Sequence, residues 1–210
     1  MSLFPLNIKS VSLCQIAGAI LFIGVLQWFM AVLAAETLFP GYSIQANDLS
    51  DLASTVPPNL SPIQPPAMLF NAATFIFGLL SLISAILIYL SGQGRLFSAL
   101  FGLSGIFAMG VGIFPGDSGS IHGLVALGWF AAAPISAIIS ARIVKGPLAW
   151  FSVAIGLFSL IVLFFAFSAG MDSPFRFFGR GGEERMLVFP VVMWMTAFAG
   201  YLMGSCKIDR

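Results

Sequence analysis

Three polar segments interrupt an otherwise apolar chain, and they hold nearly all the residues that could do chemistry. The first, 39–66, carries Tyr42, Asn47, Asp48, Ser50 and Asp51, with Asp48 and Asp51 spaced to share a face if a helical turn forms. Its second half, with Pro57, Pro58, Pro62, Pro65 and Pro66, is expected to run as an extended, non-helical cover. The second segment, 112–123, places Asp117 after a Pro115-Gly116 stop and His122 about one turn into the helix that follows. The third, 171–186, ends in Glu183, Glu184 and Arg185 behind Gly179, Gly181 and Gly182.

Carboxylates with one histidine can do general acid–base work or hold a divalent cation through oxygen ligands. Each group also has an ordinary structural role to set against that. Asp117 or Ser118 can cap the amides that open the next helix, Glu183 and Glu184 suit the positive end of a helix dipole, and His122 can be a hydrogen-bonded packing residue. Arg185 has no such role, because an arginine entering an apolar run needs a carboxylate partner, for which Asp48, Asp51 and Asp117 are the candidates.

Recognisable catalytic patterns are missing. There is no nucleophile elbow, no HExxH and no CxxC, and His122 is the single histidine, so neither a metal site nor a cofactor is expected. The two cysteines, Cys14 and Cys206, map near the same ends of the first and last apolar runs and are expected to be reduced packing residues.

What must position these groups is set by composition. With 59% hydrophobic and only 8% charged residues and a mean hydropathy of +1.02, the chain lacks the polar surface a soluble domain of 210 residues requires. A bilayer core takes about 20 apolar residues per helix. Six spans follow, at 11–35, 67–90, 96–114, 121–141, 148–169 and 185–206, and the continuous apolar runs exclude barrel strands. The fold class is therefore all-α: an integral membrane bundle of six transmembrane helices, one domain over 1–210, with a long outer loop at about 36–66. Helix connections are usually about 2 to 8 residues, so this loop is a functional or disordered feature.

Lys9, Arg95, Arg142, Lys145, Lys207 and Arg210 fall on one side of such a bundle and Arg176, Arg180 and Arg185 on the other, which predicts that both termini are cytoplasmic. Seven of the eight carboxylates (Glu36, Asp48, Asp51, Asp117, Asp172, Glu183 and Glu184) then gather on the outer side. The first apolar run, at about 25 residues, is too long for the apolar region of a signal peptide and is expected to remain as a span. Gly200 and Gly204 in the last span, Ser104, Ala108 and Gly112 in the third, and Ser136 and Ser140 in the fourth predict close helix packing, whereas the Phe-rich fifth span is expected to face lipid.

The order PGYS with NDLSDL in a long first outer loop, GIFPGD followed by a histidine, and GGEER leading into an apolar helix with Trp194 resembles the DUF998 family of small multi-span proteins. The resemblance implies six spans, and Tyr42, Asn47, Ser50, Asp51, Pro115, Asp117, His122, Glu184 and Arg185 answer to the family pattern. Asp48 stands where that pattern expects an apolar residue, and the stretch 54–66 is longer than usual, so the resemblance implies no role for Asp48.

The function expected from these residues is non-enzymatic. Tyr42, Asn47, Ser50, Asp51, Asp117, His122, Glu184 and Arg185 would form a polar cluster at the outer membrane boundary that locks helix ends together or binds a small ligand or lipid headgroup. Alternatives are an accessory subunit of a larger membrane complex and a membrane-embedded lipid hydrolase or transferase using the acids and His122. Transport is disfavoured because the span centres lack charge. Membrane lipid is the expected partner, with other membrane-protein subunits on the accessory reading, in a prokaryotic cell membrane; a net charge of +1 without a basic stripe excludes nucleic acid.

Overall fold

The computed structural model describes residues 11–205, and these are entirely helical apart from loops and turns. Six helices are long and apolar enough to cross a membrane: α1 (Leu13–Leu38), α2 (Pro66–Leu90), α3 (Arg95–Ile113), α4 (Ser120–Ser140), α5 (Pro147–Ser168) and α6 (Gly179–Ser205). The chain is thus built as an integral membrane protein, since in lipid a backbone amide must find its partner within its own helix. Lys9, Cys206, Lys207 and Arg210 lie outside the described residues.

Sequence neighbours pack side by side from α1 to α6, and α6 closes the ring by lying on α1 while also touching α4. The start of α1 is tied to the end of α6 by Gln15 Nε2, which donates to the Met203 carbonyl at 3.1 Å. In α5 only 22% of the apolar window is buried, against 39% to 50% in the other helices, so the Phe-rich span is the peripheral one.

Where helices approach closely, glycine allows it. A Cβ on Gly78 of α2 would lie 2.5 Å from both the Gly105 carbonyl and the Met109 amide nitrogen of α3, and one on Gly112 would meet the Asn71 carbonyl at 2.7 Å. Ser104, Ala108, Ser136 and Ser140 are buried as their spacing predicts. The buried serine hydroxyls mostly satisfy themselves locally, as when Ser104 donates to the Phe101 carbonyl and Ser136 to that of Ala132, both at 2.7 Å. Gly200 and Gly204 depart from expectation. Both face outward, with no atom within 4 Å of a Cβ built there, because α6 presents Phe198, Ala199 and Leu202 to the bundle instead.

Two further expectations are corrected. Cys14 is not a free thiol but disulfide-bonded. Helix α6 begins at Gly179 rather than at Arg185, so Glu183, Glu184 and Arg185 occupy its second turn.

Candidate functional site

The long loop does not wander. After α1, residues Ser43–Asn47 form a tight turn, closed by the Asn47 amide on the Ser43 carbonyl at 2.8 Å and by the Asn47 Oδ1 accepting from the Ser43 amide at 3.0 Å. A 3-10 helix, Leu49–Ala53, follows and buries Leu49, Leu52 and Ala53 in the mouth of the bundle. Asp51 caps it by accepting from the Asp48 amide at 3.0 Å and from Asn47 Nδ2 at 3.2 Å.

The turn rests on the glycine-rich start of α6. The Gly181 amide donates to the Gln45 carbonyl at 3.0 Å, and a Cβ on Gly181 would collide with the Asn47 carbonyl and lie 2.5 Å from that of Ile44. One turn further, Arg185 reaches back into the loop. Its Nη2 donates to Glu36 Oε1 at 2.6 Å and to the Tyr42 hydroxyl at 2.7 Å. Its Nη1 donates to the carbonyls of Ile44, Asn47 and Gly181 at 3.1, 2.9 and 2.9 Å. The guanidinium also lies 5.6 Å from the centre of the Tyr42 ring. Tyr42 passes the network on by donating to the Asp48 carbonyl at 2.9 Å, which requires its proton; burial holds that phenol above its ordinary range despite the neighbouring cation.

The partner of Arg185 is therefore Glu36, not Asp48, Asp51 or Asp117. Glu36 sits on the last turn of α1, which the α1·α6 packing brings opposite the second turn of α6. The two aspartates instead share Arg180, Asp48 at 2.9 Å and Asp51 at 2.7 Å. The 3-10 turn puts both on one face, as their spacing predicts. Asp48 thus has a definite contact, although the family pattern implies none for it; burial and the nearby Asp51 push its carboxyl above the usual range, against the pull of Arg180. A third pair joins Arg176 to Glu183 at 3.3 Å, and Glu183 also accepts from the Ser173 hydroxyl.

Asp117 does not cap α4. Gly119, at φ +61°, turns the chain before the helix, and the Asp117 carboxylate accepts from the Thr55 amide at 2.9 and 3.1 Å and from its hydroxyl at 2.8 Å, pinning the loop's descending half to the α3–α4 connection. His122 lies in the first turn of α4 with Nδ1 2.8 Å from the Phe114 carbonyl. A carbonyl only accepts, so Nδ1 carries the proton of that bond.

Of the eight nominated residues, Tyr42, Asn47, Asp51 and Arg185 share one continuous network, whereas Asp117 belongs to a separate contact. Ser50, His122 and Glu184 line a cavity of about 60 Å³ beneath the 3-10 helix, with Trp28, Phe77 and Trp129 among its walls. Glu184 is anchored there by accepting from the Leu49 amide at 2.5 Å. The residues that the sequence reading missed are Glu36, Arg180, Arg176 and Thr55. The four-residue spacing of Arg176 and Arg180 upstream of Glu183 and Glu184 was the one available signal for the arginines. Nothing local distinguishes Glu36 or Thr55.

No curated protein and no solved structure matches the chain. The model of the family described as a protein of unknown function, DUF998, matches residues 22–201, and with most of its length covered the chain belongs to that family.

Proposed function

We propose that this protein is a non-enzymatic, ligand-binding membrane protein in which the polar cluster is a lock. It fixes residues 42–55 as a lid over the aromatic cavity at one end of the bundle. The observation that carries this reading is the engagement of Arg185, which is 8% exposed and makes five hydrogen bonds from its two terminal nitrogens, all within the protein. Its one unpartnered donor, Nε, is buried, so no N–H group of this arginine is accessible to an anionic headgroup. Catalysis is disfavoured because Asp51 is held by Arg180, Asp117 by Thr55 and His122 by a carbonyl, and although Glu184, His122 and Ser50 line one cavity, no hydrogen bond joins any two of them among the described residues.

The lid is tested through Arg180, whose side chain is 53% exposed. Arg180→Met removes a surface pairing worth about 1 kcal/mol or less, so the bundle stays folded while the lid loosens. Hydrogen exchange in detergent is expected to show the amides of Asn47, Asp51 and Ser54 protected in the wild type and faster in Arg180→Met with α1–α6 unchanged. Unprotected lid amides in the wild type would refute the lock.

We further propose that the lid faces away from the cytoplasm. Arg95, Arg142 and Lys145 stand at the opposite end without an acidic neighbour in sequence, whereas the lid end holds seven carboxylates and three arginines. An impermeant maleimide applied to intact cells should label Ser61→Cys and leave Lys145→Cys unlabelled. The reverse pattern rejects the orientation.

A further inference from the structure

We propose that the cavity under the lid binds an organic ammonium group, with Glu184 as its counter-ion and Trp28, Phe77, Trp129 and Phe130 as its aromatic wall. The proposal rests on the lid reading above and names the ligand class it leaves open.

The argument starts from charge. Among the described residues, every other half-buried carboxylate at this end has an arginine: Glu36 has Arg185, Asp48 and Asp51 have Arg180, and Glu183 has Arg176. Asp117 and Asp172 are exposed. Glu184 alone among the half-buried carboxylates makes no salt bridge: Arg176 and Arg180 line a neighbouring pocket with it, but on the aromatic-cavity side no cation stands against it, its Oε2 is taken by the Leu49 amide and its Oε1 is without a hydrogen bond among the described residues. A carboxylate that faces apolar surroundings without a salt bridge is an incomplete ion pair.

The rest of the lining suits a cation. It includes no lysine or arginine. His122 lines the same cavity with its Nδ1 bonded to the Phe114 carbonyl, and the tautomer with the proton on Nδ1 leaves Nε2 as an acceptor. The aromatic residues form one connected series, with ring centres 5.7 Å apart for Trp28 and Phe77, 6.5 Å for Phe77 and Trp129, and 6.0 Å for Trp129 and Phe130. Aromatic faces beside a carboxylate are the surroundings in which a methylated or primary ammonium is stabilised when it leaves water. The donor set does not suit a metal: no group of three His, Cys, Asp or Glu occurs among the described residues, and a hard divalent ion takes about six oxygens. A volume of about 60 Å³ accommodates an ammonium head, and the cavity is open on one side, so a longer ligand can extend outward.

The same head could come from a lipid or from a free amine. The test titrates purified full-length protein in non-ionic detergent with choline and with its uncharged carbon isostere 3,3-dimethylbutan-1-ol, read by the fluorescence of Trp28 and Trp129. Choline is expected to saturate and to bind at least about tenfold more tightly than the isostere, an advantage lost in Glu184→Gln. Equal affinity for the two probes, no saturable response to choline, or unchanged choline binding in Glu184→Gln overturns the proposal. Should Glu184→Gln fail to fold, Ala126→Phe, which fills the cavity from α4, must abolish choline binding; retention is equally fatal. Absent choline binding with lid amides still protected rejects the ammonium site alone and leaves the lock standing. Nanodiscs separate the sources: weaker apparent choline binding in phosphatidylcholine than in phosphatidylglycerol discs supports a lipid headgroup, and equal binding in both supports a free amine.

Discussion

Arg185→Met is expected to lower thermal stability in detergent by about 3 to 5 kcal/mol, the usual cost of removing one partner from a buried pair. The Glu36 carboxylate, 12% exposed, is left without its cation, and the carbonyls of Ile44 and Asn47 lose a donor. For a chain of this size that is a fall in melting temperature on the order of 10 °C, measurable by scanning fluorimetry. Two companions separate the causes. Adding Glu36→Gln to Arg185→Met should recover part of the loss, because no charge is then stranded. Arg185→Lys should be intermediate, since an ammonium keeps the charge but cannot present the planar fork that reaches Glu36 and Tyr42 with one nitrogen and three carbonyls with the other. A melting temperature unchanged by Arg185→Met would remove the lock.

The second large effect is expected at Gly181, where sign as well as size is diagnostic. Alanine is the better helix former by about 0.8 to 1.0 kcal/mol, so a glycine that merely sat in a helix would be improved by it. Here the new Cβ meets two backbone carbonyls of the docked turn, Asn47 and Ile44, and backbone cannot swing aside as a flexible side chain would. Gly181→Ala is therefore expected to destabilise by about 1 to 3 kcal/mol and to increase exchange across the lid, as the turn lifts and Arg185 loses its carbonyls. Gly123→Ala in α4, where nothing lies within 4 Å, supplies the control and should be neutral or mildly stabilising. If Gly181→Ala behaved like Gly123→Ala, the turn would not be seated on α6.

Some of the site was legible because it is local. Asp48 and Asp51 share a face through a three-residue spacing that one turn of 3-10 helix satisfies, and the need of Arg185 for a carboxylate follows from burying a charge in an apolar run. The identity of that carboxylate was not legible. Glu36 is 149 positions away and reaches Arg185 only because α6 returns to pack on α1. Gly200 and Gly204 mislead for a related reason: a small-residue spacing marks a helix face that could pack, but which face turns inward depends on all the neighbours together, and Phe198, Ala199 and Leu202 take that place. Asp117 looked like a cap until Gly119 turned the chain and handed its carboxylate to Thr55.

By itself the sequence determined the number of crossings, their helical nature and the gathering of acid at one end, because hydrocarbon thickness and unpaired amides act on each segment separately and leave a signal in every stretch of about 20 residues. Only the tertiary structure decided which acid meets which arginine, that the long loop packs on the start of α6, and that Glu184 lines an aromatic cavity whose lining includes no lysine or arginine. Those are pairings between residues far apart in the chain, fixed by how six helices share a cross-section.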